Sequence, residues 1–337
     1  MKYIFIMLTI FACNSNITYP WYKGSLEELM SITGSKLIMI DFYTDTWGWC
    51  KRLEAETFLN KEFLALTNQF NSIKINGANK IGNEIAEDYK VTIYPTVIFI
   101  DNKGNEVDRL IGYGPPLTYL PKVVDILKRK NTIDSKKLEL TKNPGRHDLL
   151  YDLGKKYLDR GEYEISDNYF NEFLKNASFE MREKIVSAKF YLAKSAWENA
   201  DISALIKFVE DYPSDIHSLS AYQMISKYYI TINDTIKEIE TLWEMTEKFP
   251  KNTMALNSYA WRMTELNRNL EDALIKAKKG VELATSDSKA MILDTQAEIE
   301  WMLGDTKSAI GTIKAAIELN PDDEYFKFQL EKFKTVN

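Results

Sequence analysis

The chain has 337 residues, of which 45% are hydrophobic and 27% are charged. This balance is typical of a globular protein with a substantial core, and the length is sufficient for two or three domains. The formal net charge of −6 argues against a nucleic-acid-binding protein, because such proteins need a basic surface to displace counterions from phosphates. The sequence therefore predicts no nucleic-acid partner.

An apolar segment from Tyr3 to Ala12 follows the basic residue Lys2. It is too short for a membrane-spanning helix, which needs about 20 residues, and its layout is typical of a secretory signal. The segment ends at Cys13, and residues 1–13 resemble a bacterial lipoprotein signal, in which the cysteine becomes the lipidated first residue of the mature chain. The alternative is an ordinary cleaved signal in which Cys13 has no role. Both interpretations predict an extracytoplasmic protein.

Under the first interpretation the protein is lipid-anchored in the periplasm of a bacterial envelope and meets the membrane only through this anchor. The sequence has two cysteines, Cys13 and Cys50. If Cys13 is lipidated or removed, Cys50 is left as a single thiol with no internal disulfide partner. Because unpaired cysteines outside the cytoplasm tend to pair or react, Cys50 is a candidate functional residue.

Between residues 20 and 128, short β-rich runs alternate with helical segments. Strands are predicted at 36–43, at 71–76 and, on either side of a turn at 101–104, within 96–113. Helices are predicted to begin at the capping box of Ser25 and Glu28 and after Trp49, and to occupy 81–89 and 117–128. Alternating strands and helices that end in a hairpin predict an α/β sandwich around a mixed sheet.

Residues 129–146 are polar and contain Pro144 and Gly145, which predicts a linker. From residue 147 to 337 the apolar positions mostly follow helical spacing, and Ala273 and Ala309 mark a repeat of 36 residues. The last unit resembles a tetratricopeptide repeat through Ala297, Gly304, Ala309, Ala316 and Pro321. Small residues allow two antiparallel helices to approach closely, and a proline ends the second helix. The sequence predicts five such units and a final solvating helix, in an all-α superhelix.

The stretch DFYTDTWGWCK follows a predicted strand and precedes a predicted helix. It resembles the active-site segment of the thioredoxin family, in which a strand leads into Trp-Cys-X-X-Cys-Lys. Aligned without gaps, Asp41 takes the position of the buried acid, Trp47 that of the first cysteine and Cys50 that of the second. Pro95, which follows Tyr94, matches the cis-proline that faces the active site. The resemblance covers about residues 21–128 and implies a thioredoxin-like fold; Glu54, Thr57 and Phe58 extend it to the extracytoplasmic branch of the family.

In this family the first cysteine is an exposed thiolate at a helix N-terminus, and the buried second cysteine resolves the mixed disulfide. The present chain keeps the second position and has Trp47, which cannot form a thiolate, at the first. Cys50 is therefore interpreted as a buried apolar filler, with a reactive thiol as the alternative. Asp41 carries the proton of Cys50 if the site is active, and is otherwise a polar residue retained at the end of a strand.

The aromatic residues Trp47 and Trp49, with Tyr94 and Pro95, are candidates for a peptide-binding surface. The alternative is that both tryptophans pack against neighbouring loops. The sequence thus predicts a protein that binds other proteins or extended peptides and does not exchange disulfides. The alternative function is a thiol–disulfide oxidoreductase of extracytoplasmic redox homeostasis that acts through Cys50. No cofactor and no metal site are predicted, because His147 and His217 have no ligand pattern near them.

Overall fold

The computed structural model describes residues 18–335, so the predicted signal segment and Cys13 lie outside the described residues. The chain divides into two compact units, with the boundary between Ala177 and Ser178. Strands occur in the first unit, and the described part of the second unit is helical. None of the helices within residues 18–335 is long and apolar enough to span a membrane.

The first unit is organised around a four-stranded sheet, whose strands are β1 (Leu37–Tyr43), β2 (Phe70–Asn76), β3 (Thr96–Ile100) and β4 (Glu106–Ile111). The strands lie in the order β2-β1-β3-β4. Strand β1 runs parallel to β2 and antiparallel to β3, and β3 is antiparallel to β4. The prediction of a mixed sheet that ends in a hairpin is therefore confirmed.

Helices cover both faces of this sheet. One face carries α1 (Leu26–Ile32) and α4 (Lys80–Asp88), and the other carries α2 (Gly48–Arg52), a π-helical segment (Leu53–Phe58), α3 (Lys61–Leu66) and α5 (Pro116–Leu127). Because side chains alternate along a strand, β1 places Met39 in one core and Ile38 and Ile40 in the other. Asp41, two residues after Met39, consequently faces the layer that contains α2 and α5.

Local chemistry sets the ends of these elements. The predicted capping box is present at α1, where the Ser25 side chain accepts from the backbone N–H of Glu28 and the Glu28 side chain accepts from that of Ser25. At the predicted hairpin turn, Asp101 Oδ1 accepts from the backbone N–H groups of Lys103 and Asn105, at 2.8 Å and 2.9 Å. Gly104 has a φ of +82°, which a residue with a side chain rarely adopts.

Most of the segment predicted as a linker, 129–146, is helical, because α6 spans Ile133–Lys142. Helix α6 begins at the N-cap Thr132, and Ile133 packs against Leu153 and Tyr157 of the next helix. The sequence of α6 shows no clear apolar stripe, because most of its residues are polar. Its contacts also join residues about 20 positions apart, which a local pattern does not show. The polar sequence therefore did not reveal a short helix that packs through Ile133 and Leu140.

Ion pairs join the first helical pair, α7 (His147–Asp159) and α8 (Tyr163–Asn176), to the sheet within the first unit. Lys156 Nζ lies 2.5 Å from Asp108 Oδ2, and Arg160 Nε lies 3.0 Å from Glu106 Oε1. The buried guanidinium of Arg109 also donates to the backbone carbonyl oxygen of Asp159, at 3.1 Å. These contacts explain why the compact unit extends beyond the sheet to Ala177.

The second unit consists of helices that follow one another in pairs and end in a single helix: α9 (Arg182–Glu198), α10 (Ser203–Asp211), α11 (Ile216–Thr231), α12 (Thr235–Lys248), α13 (Thr253–Leu266), α14 (Leu270–Leu283), α15 (Ser286–Met302), α16 (Thr306–Leu319) and α17 (Glu324–Lys334). Together with α7 and α8, the described residues contain five pairs. The prediction of an all-α region with tetratricopeptide-type pairs after the α/β domain is confirmed.

Small residues let the paired helices approach one another. A methyl group at Gly154 would lie 2.7 Å from the ring of Phe170, so only glycine allows α7 and α8 this contact. In α15 and α16 the alanines Ala297, Ala309 and Ala316 are fully buried. These three are among the positions on which the resemblance to the repeat family was based.

Candidate functional site

The turn after β1 determines the positions of Trp47 and Cys50. Trp47 immediately precedes α2, with an extended backbone (φ −90°, ψ 114°), and its side chain makes no hydrogen bond to the helix end. The backbone N–H of Cys50 donates to the carbonyl oxygen of Trp47, at 3.1 Å. Trp47 therefore occupies the entrance of the helix, and Cys50 lies one turn further in.

Burial distinguishes the thiol from the indoles. The side chains of Trp47 and Trp49 are 54% and 49% exposed, whereas Cys50 is only 7% exposed. Burial raises the pKa of the Cys50 thiol, and this effect outweighs a backbone hydrogen bond with Thr44 that lowers it. The thiol is therefore mostly protonated at neutral pH, and it has little of the thiolate that disulfide exchange requires.

Asp41 is a buried carboxyl group beneath Cys50. It is 3% exposed and lies opposite Lys74 in the pairing of β1 with β2. Burial raises the pKa of Asp41 to about 7, against the attraction of Lys74, and the negative charge of Glu54 acts in the same direction as burial. Lys74 Nζ is held 2.8 Å from Glu54 Oε2, and the Oδ1 atom of Asp41 has no hydrogen-bond partner. Lys74 therefore compensates the charge of Asp41 only in part.

A groove of about 610 Å³ lies in front of the turn. None of its lining side chains is a carboxylate, an amine or a guanidinium; they are Thr44, Trp47, Trp49, Thr92, Ile93, Tyr94, Pro95, Gly112 and Tyr113. Most of its surface is aromatic or aliphatic. Such a surface favours an apolar ligand. A charged ligand would lose its hydration there, and no charged lining residue would compensate for that loss.

The loop before β3 forms one wall of the groove. Its Tyr94–Pro95 peptide bond is cis. Thr96 Oγ1 donates to the carbonyl oxygen of Ile93, at 2.7 Å, and the backbone N–H of Gly112 donates to that of Pro95, at 2.8 Å. These two bonds tie the loop to the first residue of β3 and to the residue that follows β4, so its shape is set by the sheet.

The opposite wall is an aromatic pair, which an ion pair outside the lining holds in place. The ring centroids of Trp49 and Tyr113 lie 5.5 Å apart, and the guanidinium of Arg52 lies over both rings, at 5.4 Å and 4.8 Å. Arg52 Nε also contacts Glu56 Oε1 at 2.8 Å, and Glu56 accepts a hydrogen bond from the Tyr113 hydroxyl. Thr57 Oγ1 donates to the carbonyl oxygen of Gly114, at 2.7 Å. The groove is therefore formed before any ligand binds.

The structure brings Trp47, Trp49, Tyr94 and Pro95 together around this groove, whereas Cys50 and Asp41 are buried and do not line it. Sequence reasoning did not identify Tyr113, which follows β4. Sequence reasoning also did not identify the ion pair of Arg52 and Glu56, which lie four residues apart in the helical segment and hold the aromatic wall.

Residues 28–125 match the family model described as a thioredoxin-like domain. The prediction of this fold for the first part of the chain is therefore confirmed. The search among curated proteins finds no match.

Solved structures include similar chains for each part. DsbH oxidoreductase is 23% identical, with a TM-score of 0.30, over 34% of this chain and 93% of that chain. A thioredoxin from Thermus thermophilus is 22% identical, with a TM-score of 0.26, over 27% of this chain and 73% of that chain. YrrB, described as a TPR protein with an unusual peptide-binding site, is 11% identical, with a TM-score of 0.43, over 59% of this chain and 99% of that chain.

Asp41 makes stability depend on pH in a predictable direction. Its folded pKa of about 7 lies above the unfolded value of about 3.9, so the folded state holds a proton that the unfolded state has lost. We expect the free energy of unfolding to fall between about pH 5 and pH 7, by up to about 1.4 kcal/mol per pH unit from this group. Urea titrations should therefore give a steeper fall in the wild type than in Asp41→Asn, which keeps only the contribution of other raised carboxyl groups such as Asp294. Equal slopes in both proteins would contradict the assignment.

Proposed function

We propose that the thioredoxin-like domain binds an extended apolar segment of another protein in the groove and does not exchange disulfides. The observation that carries the proposal is the exposed indole of Trp47 at the entrance of α2, where the family places its attacking thiol. The remaining thiol, Cys50, is buried. The residues needed to hold a peptide are thus on the surface, and the residue needed to begin the reaction is missing.

The energetics of the groove favour such a ligand. A buried aromatic side chain covers roughly 150–250 Å². Covering the exposed half of Trp47 would remove roughly 100 Å² from water, which contributes about 2–3 kcal/mol. Trp49 offers a similar area. Because Arg52, Glu56 and Tyr113 already fix the Trp49 wall, little side-chain entropy is lost when a ligand binds there.

The repeat region supports a scaffold role for the whole protein. Stacked helix pairs present extended surfaces, and proteins use them to hold other chains. We assign to the helical region the binding of partner proteins, and to the groove the capture of one apolar segment.

Binding is tested with a permanently unfolded, carboxymethylated protein as the probe, by isothermal titration. We expect Trp47→Ala and Trp49→Ala each to weaken binding by about tenfold to a hundredfold, since each removes about 1–3 kcal/mol of buried apolar contact. Phe328→Ala is the matched control, because Phe328 is an exposed aromatic residue on α17 and should leave the affinity unchanged. Unchanged affinity in both tryptophan variants would exclude the groove as the binding site.

Thiol–disulfide exchange through Cys50 is the second candidate, and the position of Asp41 favours it. A carboxyl group with a pKa of about 7 next to a thiol can accept its proton at neutral pH. The Cys50 thiolate would attack a partner disulfide, forming a mixed disulfide and releasing one partner thiolate. A low-molecular-weight thiol from solution would then attack the partner's sulfur in this mixed disulfide and release the Cys50 thiolate. A second such thiol would attack the small-molecule sulfur of the new mixed disulfide, release the second partner thiolate and form the oxidised low-molecular-weight disulfide.

A disulfide-reduction assay separates the two candidates. In a Cys13→Ser background we expect the parent protein and Cys50→Ser to remain at the uncatalysed rate, because the buried thiol supplies little thiolate. We expect Trp47→Cys to be active, because it restores a thiol at the helix entrance above Cys50. Turnover by the parent protein that disappears in Cys50→Ser would instead establish the oxidoreductase.

Export and anchoring remain part of the proposal. The basic-then-apolar layout of residues 2–12 supports export, and its ending at Cys13 supports lipidation. When the full chain is expressed in a bacterium, we expect it in the envelope fraction, with detergent needed to release it. Cys13→Ser should abolish acylation detected by mass spectrometry of the N-terminus. Recovery of wild-type protein in the cytoplasm with residues 1–13 intact would reject this part.

A further inference from the structure

Exposed or half-buried tryptophans in this protein repeatedly carry a cation that is also paired with a carboxylate. Arg52 lies over Trp49 and contacts Glu56. In the same way, Lys74 lies over Trp21 and contacts Glu54, and Lys332 lies over Trp301 and contacts Glu298. Each set combines an indole face, which attracts a cation, with a carboxylate that fixes its position.

Trp243 on α12 provides an indole with carboxylates nearby, as in these three sets, but without the cation in the part of the chain that the structure describes. Its side chain is 47% exposed. Glu240, three residues before it, and Glu244, one residue after it, line one cavity together with Trp243. Glu240 and Glu244 are four residues apart and therefore lie on the same face of the helix. Among the described residues, no lysine or arginine forms an ion pair with Glu240 or Glu244, and none lies over the ring of Trp243 in a cation–π contact.

The cavity has a volume of about 340 Å³, and Ile239, Tyr259 and Asn269 complete its lining. Its charge is negative. Glu244 is oriented by the hydroxyl of Tyr222, which donates to its Oε1 at 2.9 Å. Burial raises the pKa of the Tyr259 hydroxyl, and the nearby carboxylate of Asp272 acts in the same direction. The Oδ2 atom of Asp272 is buried without a hydrogen-bond partner. The site thus offers an aromatic wall, two carboxylates at the lining and a further negative charge behind it.

We propose that this cavity binds the guanidinium group of an arginine side chain on a partner protein. The planar guanidinium stacks on the indole face of Trp243 while its N–H groups donate to Glu240 and Glu244. A guanidinium fits better than an ammonium, because it is more weakly hydrated and presents several donors in one plane. The partner therefore has an arginine that is exposed on an accessible segment. This site lies in the second unit and is independent of the groove.

The test follows the indole N–H signals of the seven tryptophans by ¹H–¹⁵N NMR of the full chain. The probe is N-acetyl-arginine methylamide, and the Trp243 signal is assigned as the one lost in Trp243→Phe. We expect this signal to shift and saturate, while the Trp49 signal, whose ring already carries Arg52, stays in place. The lysine analogue should bind at least about threefold more weakly, and the neutral citrulline analogue should cause no saturable shift.

Two variants link the shift to the carboxylates. Glu240→Gln with Glu244→Gln should weaken arginine binding by about tenfold or more, because the charge-assisted bonds are lost. Glu247→Gln is the matched control on the same helix, since Glu247 already pairs with Lys276 and does not line the cavity. The proposal is overturned if the Trp243 signal does not saturate, if citrulline or lysine binds as tightly as arginine, or if the double variant keeps wild-type affinity.

Discussion

The register of strand β1 against β3 determines where the groove forms. Strand β1 is hydrogen-bonded on both edges and buried on both faces, so its end cannot shift without disturbing both cores. In the antiparallel pairing Phe42 lies opposite Thr96. The turn that leaves β1 and the loop that enters β3 therefore emerge side by side. One register brings Trp47 and Pro95 to the same groove although they are 48 residues apart in the sequence.

The alternation of side chains along β1, which builds the two cores, also places the carboxyl group of Asp41 inside one of them. Asp41 shares a strand face with Met39, and its burial costs stability when it is ionised. Lys74 is the nearest compensating cation, but it is engaged by Glu54 and lies over the ring of Tyr43, at 4.2 Å. The fold therefore retains a proton-holding group under Cys50 even though the entrance position carries no thiol. A peptide-binding groove alone does not require this group.

Much of the fold could be predicted because its signals are local. The apolar runs of β1 and β3, the Ser25–Glu28 capping box and the small residues of the helix pairs each depend on neighbouring positions. The site was predictable only as far as the family resemblance placed Trp47, Cys50 and Pro95. Its second wall depends on Tyr113 meeting Glu56 across 57 positions, and no local pattern encodes such a contact.

The attachment of the first helical pair to the sheet was missed for a related reason. Lys156 and Arg160 are charged residues within and directly after a helix, and only the folded chain shows that they pair with the buried Asp108 and with Glu106. Charges in a sequence do not reveal their partners.

The π-helical segment at Leu53–Phe58 changes the residue spacing in the helical stretch that follows Trp47. In a regular α-helix, residues seven apart lie on the same face. A π-turn holds one extra residue, and Leu59 accordingly donates its backbone N–H to the carbonyl oxygen of Glu54, five residues earlier. Cys50 and Phe58, eight positions apart across this turn, are both buried. Deleting one residue between them would preserve the helix but rotate one end against the other. The spacing between Cys50 and Phe58 is therefore as much a determinant of this domain as the identity of either residue.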